Sequence, residues 1–451
     1  MIIEKIVITF LLMGLGSFIF IVRKHLFWGA SSSKRTFAGY ISISSHFVFI
    51  VPGMYIILQE NPSSNWVIFI LSSASEAFAA NLTIVAGLFL FVLFSVLISI
   101  LTGKSSLYNG HDFVDVSKDQ RVLNQYRRLL RAFVISSIAV LLALIVFTST
   151  QHALLAGLIG DIAPGAIRHE NSQSSLGGLL NLFLQIYSLM MAIIAGIPGV
   201  LRNKTQGVLL AFLIVLIASV HGDKAPTIMA FLICVVTRFH FLENVNFMNI
   251  LMRLGLVVAI AMGILIWMIN FYFGELNISY GEYLSGRLLL GQVAGWYDQF
   301  SLNIQDFSYI FHGIPFYSFF DTPIIFHKDL MLVSEGRIDP NSIGVKNTLF
   351  LAEAYAIFGP IGYILGPLIM AFGSFVVFVC LSRIFNLFFG IPLAASKAIS
   401  AMFYVIYFQL TDGITELIFA KSLILILIVL SPVYIVFQTT IRKNLSMKVL
   451  R

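Results

Sequence analysis

The chain has 451 residues, 59% of them hydrophobic and only 11% charged, with a formal net charge of +7; an ordinary soluble domain carries roughly 25% charged residues. That composition excludes a water-soluble globular enzyme and fits a polytopic helical membrane protein, since each crossing of a hydrocarbon core takes about 20 apolar residues. The two cysteines, Cys234 and Cys380, lie inside apolar runs, so neither a disulfide framework nor a thiolate metal site is expected.

In chain order, apolar runs of spanning length or near it fall at 6–22, 38–58, 80–101, 132–150, 176–199, 206–220, 226–239, 254–273, 354–382, 396–411 and 417–440. They predict an all-α integral membrane protein of about eleven transmembrane helices. The chain reads as a single transmembrane domain, 1–451, with one large outer loop, 274–350, between the eighth and ninth spans. The first run has no small-residue cleavage site behind it and meets Arg23, Lys24 and His25 at once, so it reads as a retained span. The short apolar stretch Trp66 to Leu71 is expected at the interface, because a full extra span there would invert every later loop.

Placing the N-terminus outside puts all but eight of the 28 basic residues on the inner side, the exceptions being Lys5, Arg168, Lys224, Arg287, Lys328, Arg337, Lys346 and Lys421. Four of those eight lie in the long outer loop, whose length exempts it from the positive-inside rule. The basic run Arg121 to Arg131 is therefore an orientation signal, and nucleic acid is not an expected partner.

The informative charges are those in places where ions are costly, about 2.5–3.5 kcal/mol at mid-helix on translocon scales. The sixth and seventh runs are short and joined by Val220-His-Gly-Asp-Lys-Ala-Pro226. That turn is expected to sit below the outer surface, with Gly222 turning the chain, Pro226 starting the returning helix and Lys224 at its positive end, suited to an anion; snorkelling of Lys224 to headgroups is the plainer alternative. Arg168 follows the fourth span in Asp161-Ile-Ala-Pro-Gly-Ala-Ile-Arg-His-Glu170, where a solvated surface charge is the ordinary reading.

In the long loop, Leu289, Val293, Trp296 and Phe300 recur at helical spacing beside Arg287, which predicts an amphipathic helix lying on the membrane with Arg287 near its start. The loop is dense in aromatic residues; interfacial packing accounts for most of them, and exposed rings such as Trp296 and Tyr297 could stack on sugars. At its end, Lys346-Asn347-Thr348-Leu-Phe-Leu-Ala-Glu353 places a carboxylate one turn into an apolar helix, with Asn347 near the helix start and Thr348 as a possible cap. A glutamate that deep is either functional or half of a structural ion pair. Asp412 and Glu416 are expected to cap a helix. Metal-ligand spacing on one helix face, a Walker loop and a Gly-x-Ser-x-Gly elbow are all missing from the sequence, so no metal or other cofactor is expected.

Outward cations, a deep carboxylate and aromatic residues on a many-helix body suit a lipid-linked anion with a sugar hydroxyl to be activated beside it. The motifs Gly222-Asp-Lys224-Ala-Pro226, the Arg287 segment, and Asn347…Glu353-Ala-Tyr355…Phe358-Gly-Pro-Ile-Gly362 resemble the bacterial O-antigen and oligosaccharide repeat-unit polymerases, the Wzy-type family. The resemblance implies a metal-independent, GT-C-like glycosyltransferase of lipopolysaccharide or other polysaccharide biosynthesis. Such an enzyme is a multi-pass protein of the bacterial inner membrane with its site facing the periplasm. It joins oligosaccharide repeat units carried on undecaprenyl diphosphate; its partners would be that substrate, membrane lipids and a chain-length regulator protein. On this resemblance Glu353 is the base, Arg287 a catalytic cation, and Lys224, Arg168, Asn347, Trp296 and Tyr297 bind substrate. An O-antigen ligase shares architecture and donor, and an essential His312 or His327 would favour it. A lipid-linked oligosaccharide flippase would instead show pseudo-symmetric halves.

Overall fold

Among the residues described by the computed structural model, every regular element is helical. These residues are 2–22, 25–26, 50–58, 73–103, 119–147, 175–220, 224–241, 263, 286, 289–317, 320–322, 324–336, 347–407, 410 and 413–449. Six helical segments are long and apolar enough to cross a membrane: Ile2–Val22, Ala74–Leu101, Gln120–Phe147, Leu176–Gly196, Phe350–Phe389 and Lys421–Thr439; Lys204–Ala218 is shorter and apolar. The protein is thus an all-helical chain with several membrane-spanning candidates, and the run expected at 254–273 lies outside the described residues.

The helices are α1 Ile2–Val22, α2 Val51–Ile57, α3 Ala74–Leu101, α4 Gln120–Phe147, α5 Ser175–Gly196, α6 Lys204–Ala218 and α7 Lys224–Phe241. They continue with α8 Ala294–Leu302, α9 Phe326–Glu335, α10 Phe350–Phe358, α11 Gly362–Phe389, α12 Leu393–Tyr407, α13 Thr415–Ile418 and α14 Lys421–Val449. Short 3-10 turns occupy Leu290–Gln292, Phe307–Gly313 and Gly359–Ile361. The chain packs as two compact units interleaved along the sequence: 1–109, 278–379 and 407–424 form the first, and 110–277, 380–406 and 425–451 the second.

In the first unit, Ser73 caps α3: its hydroxyl accepts from the backbone N–H of Glu76 at 3.2 Å, which satisfies a helix-end donor, and the Glu76 carboxylate, an acid at the positive end of the helix, accepts from Ser301 at 2.6 Å. Ala77, Ala80, Asn81, Ile84, Leu88 and Phe91 form the buried stripe of α3, while Leu82, Phe89, Leu97 and Leu101 are exposed. That exposed apolar side is a surface hydrocarbon can cover, since the backbone of a helix is satisfied internally. Helix α1 meets α3 through Phe18 and Phe89, ring centroids 4.9 Å apart.

The span expected at 354–382 is interrupted. Helix α10 ends at Phe358, three residues of 3-10 geometry follow, and α11 begins at Gly362. Gly359 sits at φ 61°, ψ −146°, a region open essentially to glycine alone, and Pro360 cannot supply the N–H that a continuous helix needs. The Gly-Pro pair turns the chain between two helical segments, which leaves α10 a separate nine-residue piece carrying Glu353.

In the second unit, the basic run Arg121 to Arg131 is helical, as the first turns of α4. Arg127 has a further role in it: Nε donates to the carbonyl of Val200 at 3.1 Å and Nη2 to that of Gly199 at 2.7 Å, closing the carbonyls after the end of α5. Within α14, Pro432 removes an N–H from the helix; the hydroxyls of Ser431 and Tyr187 donate to the carbonyls of Ile428 and Val429 at 2.8 and 2.7 Å.

Candidate functional site

Within the first unit the polar groups gather around Glu353. This residue stands in the first turn of α10, which has no side-chain cap, and its side chain is buried. A carboxylate so placed needs donors, and Thr415 supplies two: its backbone N–H to Oε2 and its hydroxyl to Oε1, each at 3.0 Å. Thr415 opens the one-turn helix α13, so the acid sits at the positive end of two short helices. The chain reaches it because residue 413 is glycine: a Cβ there would lie 2.6 Å from Glu353 Cδ and 2.9 Å from Oε1.

On its other side Glu353 faces α9. His327 Nε2 is 3.9 Å from Glu353 Oε1, and His327 Nδ1 lies 3.2 Å from the Thr348 hydroxyl. Thr348, expected to cap α10, instead pairs with this imidazole, and Leu349 occupies the cap position. The result is a line of side chains, Thr348, His327, Glu353 and Thr415, drawn from three separated parts of the sequence.

Two lysines stand near one side of this line, around His312. His312, at the end of the 3-10 turn Phe307–Gly313, is held down at a pKa of about 4, first by burial and then by its neighbours Lys421, His327 and Lys328. Lys421 Nζ donates to the His312 carbonyl at 2.8 Å, which ties the start of α14 to that turn. Nearby, the Tyr309 hydroxyl donates to Asp329 Oδ2 at 3.3 Å; burial, the larger effect, raises the Asp329 carboxyl above its ordinary 3.8. Glu416 accepts from Ser422 at 2.8 Å, so it fastens α13 to α14, and Asp412 lies outside the described residues.

The other residues singled out from sequence fall differently. Arg287 and Arg168 lie outside the described residues, as do His221, Gly222 and Asp223. Lys224 is the first residue of α7, so Pro226 stands in its first turn and does not start it; Lys224 belongs to the second unit and Glu353 to the first. Asn347 is exposed, and its amide donates to Gln292 Oε1 at 3.1 Å. Trp296 and Tyr297 require correction as ring platforms for sugar. Both are fully buried: the Trp296 indole N–H donates to the Ala80 carbonyl at 3.2 Å and the Tyr297 hydroxyl to Asn81 Oδ1 at 2.6 Å.

The membrane-surface helix expected here is likewise an interior one, for Ala294 to Gln299 are buried without a break. The spacing of its large residues is the same for a lipid-facing and a protein-facing stripe, and polar partners on α3 decide between them.

Among the described residues no group of three or more His, Cys, Asp or Glu side chains could hold a metal ion. What the arrangement can do is accept a proton and hold an anion: an imidazole beside a fixed carboxylate, with two lysines close by. Sequence reading reached Glu353 through its place in an apolar run. It did not reach Thr415, and it met Lys421 only as one of the outward cations; their sequence separations of 62 and 109 residues from their partners leave no periodic signal. No protein-family model matches the chain, and comparisons with curated proteins and with solved structures gave no significant match.

Proposed function

We propose that this protein is a membrane glycosyltransferase that polymerises oligosaccharide repeat units carried on undecaprenyl diphosphate, of O-antigen or capsule type, at the periplasmic face of the bacterial inner membrane. The observation that carries the reading is Glu353: a buried carboxylate at the start of an apolar helix, held by Thr415 and set beside His327.

The reaction breaks the anomeric C1–O bond to the diphosphate of one lipid-linked glycan and forms a new C1–O bond to a hydroxyl of another. The attacking hydroxyl loses a proton to the carboxylate–imidazole pair, and the departing undecaprenyl diphosphate takes its charge to cations. Lys328 and Lys421, close to His312, are suited to that charge; Lys224, Arg168 and Arg287 are carried by the resemblance in sequence. A chain-length regulator would act on the product from outside this site.

One observation favours a second reading. The imidazole of His327 beside Glu353 is the feature that would suit an O-antigen ligase, which hands a finished glycan from the same donor to lipid A core. Deleting the gene in its host separates the two. Loss of a polymerase leaves lipid A core bearing one repeat unit; loss of a ligase leaves bare core and long glycan still on undecaprenyl diphosphate. An unchanged ladder of chain lengths overturns both.

A further inference from the structure

We infer that His327 is the group that takes the proton from the attacking sugar hydroxyl, with Glu353, Thr348 and Thr415 as its positioning residues. The inference rests on the polymerase reading and refines its chemistry, moving the base from the carboxylate to the imidazole.

Access decides between the two groups. The His327 side chain is 18% exposed and that of Glu353 only 2%, so a sugar hydroxyl arriving from outside the fold meets the imidazole first. Glu353 is also committed: both its oxygens accept from Thr415. The distance of 3.9 Å from His327 Nε2 to Glu353 Oε1 is beyond a direct hydrogen bond, which leaves Nε2 available to accept from an incoming hydroxyl.

Acceptance at Nε2 requires the tautomer in which Nδ1–H donates to the Thr348 hydroxyl across 3.2 Å, so that the lone pair lies on Nε2, toward the gap. The acceptor O–H bond breaks and its proton passes to Nε2, while the oxygen electron pair forms the new bond to the donor C1. The C1–O bond to diphosphate breaks with its electrons going to undecaprenyl diphosphate. The imidazolium so formed lies against the Glu353 carboxylate, which stabilises it before the proton is released to water. In the hydrolase triads the carboxylate holds the ring nitrogen remote from the proton transfer; here Thr348 takes that place, and Glu353 lies beside the nitrogen that gains the proton.

The groups facing His327 are Glu353 and Thr348 from the α10 segment, with His312 and, beyond it, the cation Lys421, and with Lys328 and Asp329 adjoining it on α9. None of the cations among them can serve as a base while charged. His312, although neutral at physiological pH, takes its character from burial and from the neighbouring cations, whereas His327 has the carboxylate beside it to stabilise a gained proton.

The test uses full-length protein in membrane vesicles and, as substrate, undecaprenyl-diphosphate-linked single repeat units extracted from the gene-deletion strain. Wild-type vesicles should build a ladder of longer chains; failure to do so sinks the polymerase reading itself and is seen before any variant is made. Given that ladder, His327→Gln should lower kcat by about 10²–10⁴-fold, the range of general-base catalysis, with KM changed by less than about threefold. Added imidazole should restore part of the rate in His327→Ala and none in Glu353→Ala. A His327→Gln protein with wild-type kcat, or one altered only in KM, overturns the assignment. Should His327→Gln fail to insert, His327→Ala assayed with imidazole decides, and an inserted variant with no imidazole response counts against the proposal.

Discussion

Gly413→Ala tests the placement of the buried carboxylate without touching its chemistry. The added methyl would stand 2.6 Å from Glu353 Cδ and 2.9 Å from Oε1, against ordinary van der Waals separations of about 3.5–4.0 Å. The carboxylate would have to retreat by about 1 Å. Its bonds to the Thr415 N–H and hydroxyl, both 3.0 Å now, would then stretch past the limit for a hydrogen bond. Each hydrogen bond to a charged group contributes about 1.5–3 kcal/mol, so losing one or both predicts a destabilisation of about 2–5 kcal/mol. Denaturation of the purified protein in detergent reads this directly. A double-mutant cycle makes it specific: in a Glu353→Ala background the carboxylate is gone, and Gly413→Ala should be nearly neutral. Equal destabilisation in both backgrounds would refute the argument, because it would locate the clash somewhere other than Glu353.

Three further outcomes follow. His312 is neutral in the folded protein down to about pH 4 while the unfolded chain protonates it near 6.5; its share of stability is full above the unfolded value and is lost as pH falls toward the folded one, so His312→Gln should shrink the drop in unfolding midpoint between about pH 7 and about pH 5. Arg127→Ala removes the donors to the Gly199 and Val200 carbonyls and should destabilise by about 1–3 kcal/mol, measured by denaturant unfolding; Arg127→Lys should recover only part of it, since an ammonium lacks the guanidinium fork. Arg287→Ala or Lys224→Ala should leave expression and insertion intact and give a surface glycan of one repeat unit, read from the gel ladder; long chains in both variants would remove these cations from the account.

The span-length helices were legible because hydrophobicity over a long window is a sum that needs no partner: α1, α3, α5 and α14 fall on their expected runs. What the window cannot register is a break within it. The run at 354–382 is apolar throughout, yet Gly359 and Pro360 end α10 and separate Glu353 from the long helix that follows. At α4 the helix begins ahead of the apolar run, its first turns being the basic segment itself.

The site was legible only at its most improbable residue. A glutamate in an apolar helix stands out on energetic grounds, and His327 was noticed only as a mark of the rival ligase, whereas Thr415 and Gly413 are ordinary until the fold joins them. Trp296 and Tyr297 show the same limit, for an aromatic residue suits a sugar and a core equally well, and here Ala80 and Asn81 hold both rings inside.

The central claim is that the carboxylate of Glu353 serves chemistry as well as structure. Glu353→Gln keeps the shape and removes the charge, and the length of the surface glycan in a strain carrying it is the most direct measurement. With the protein present in the membrane at its normal level, glycan stopping at one repeat unit is the predicted result; long chains of unaltered distribution would contradict the account.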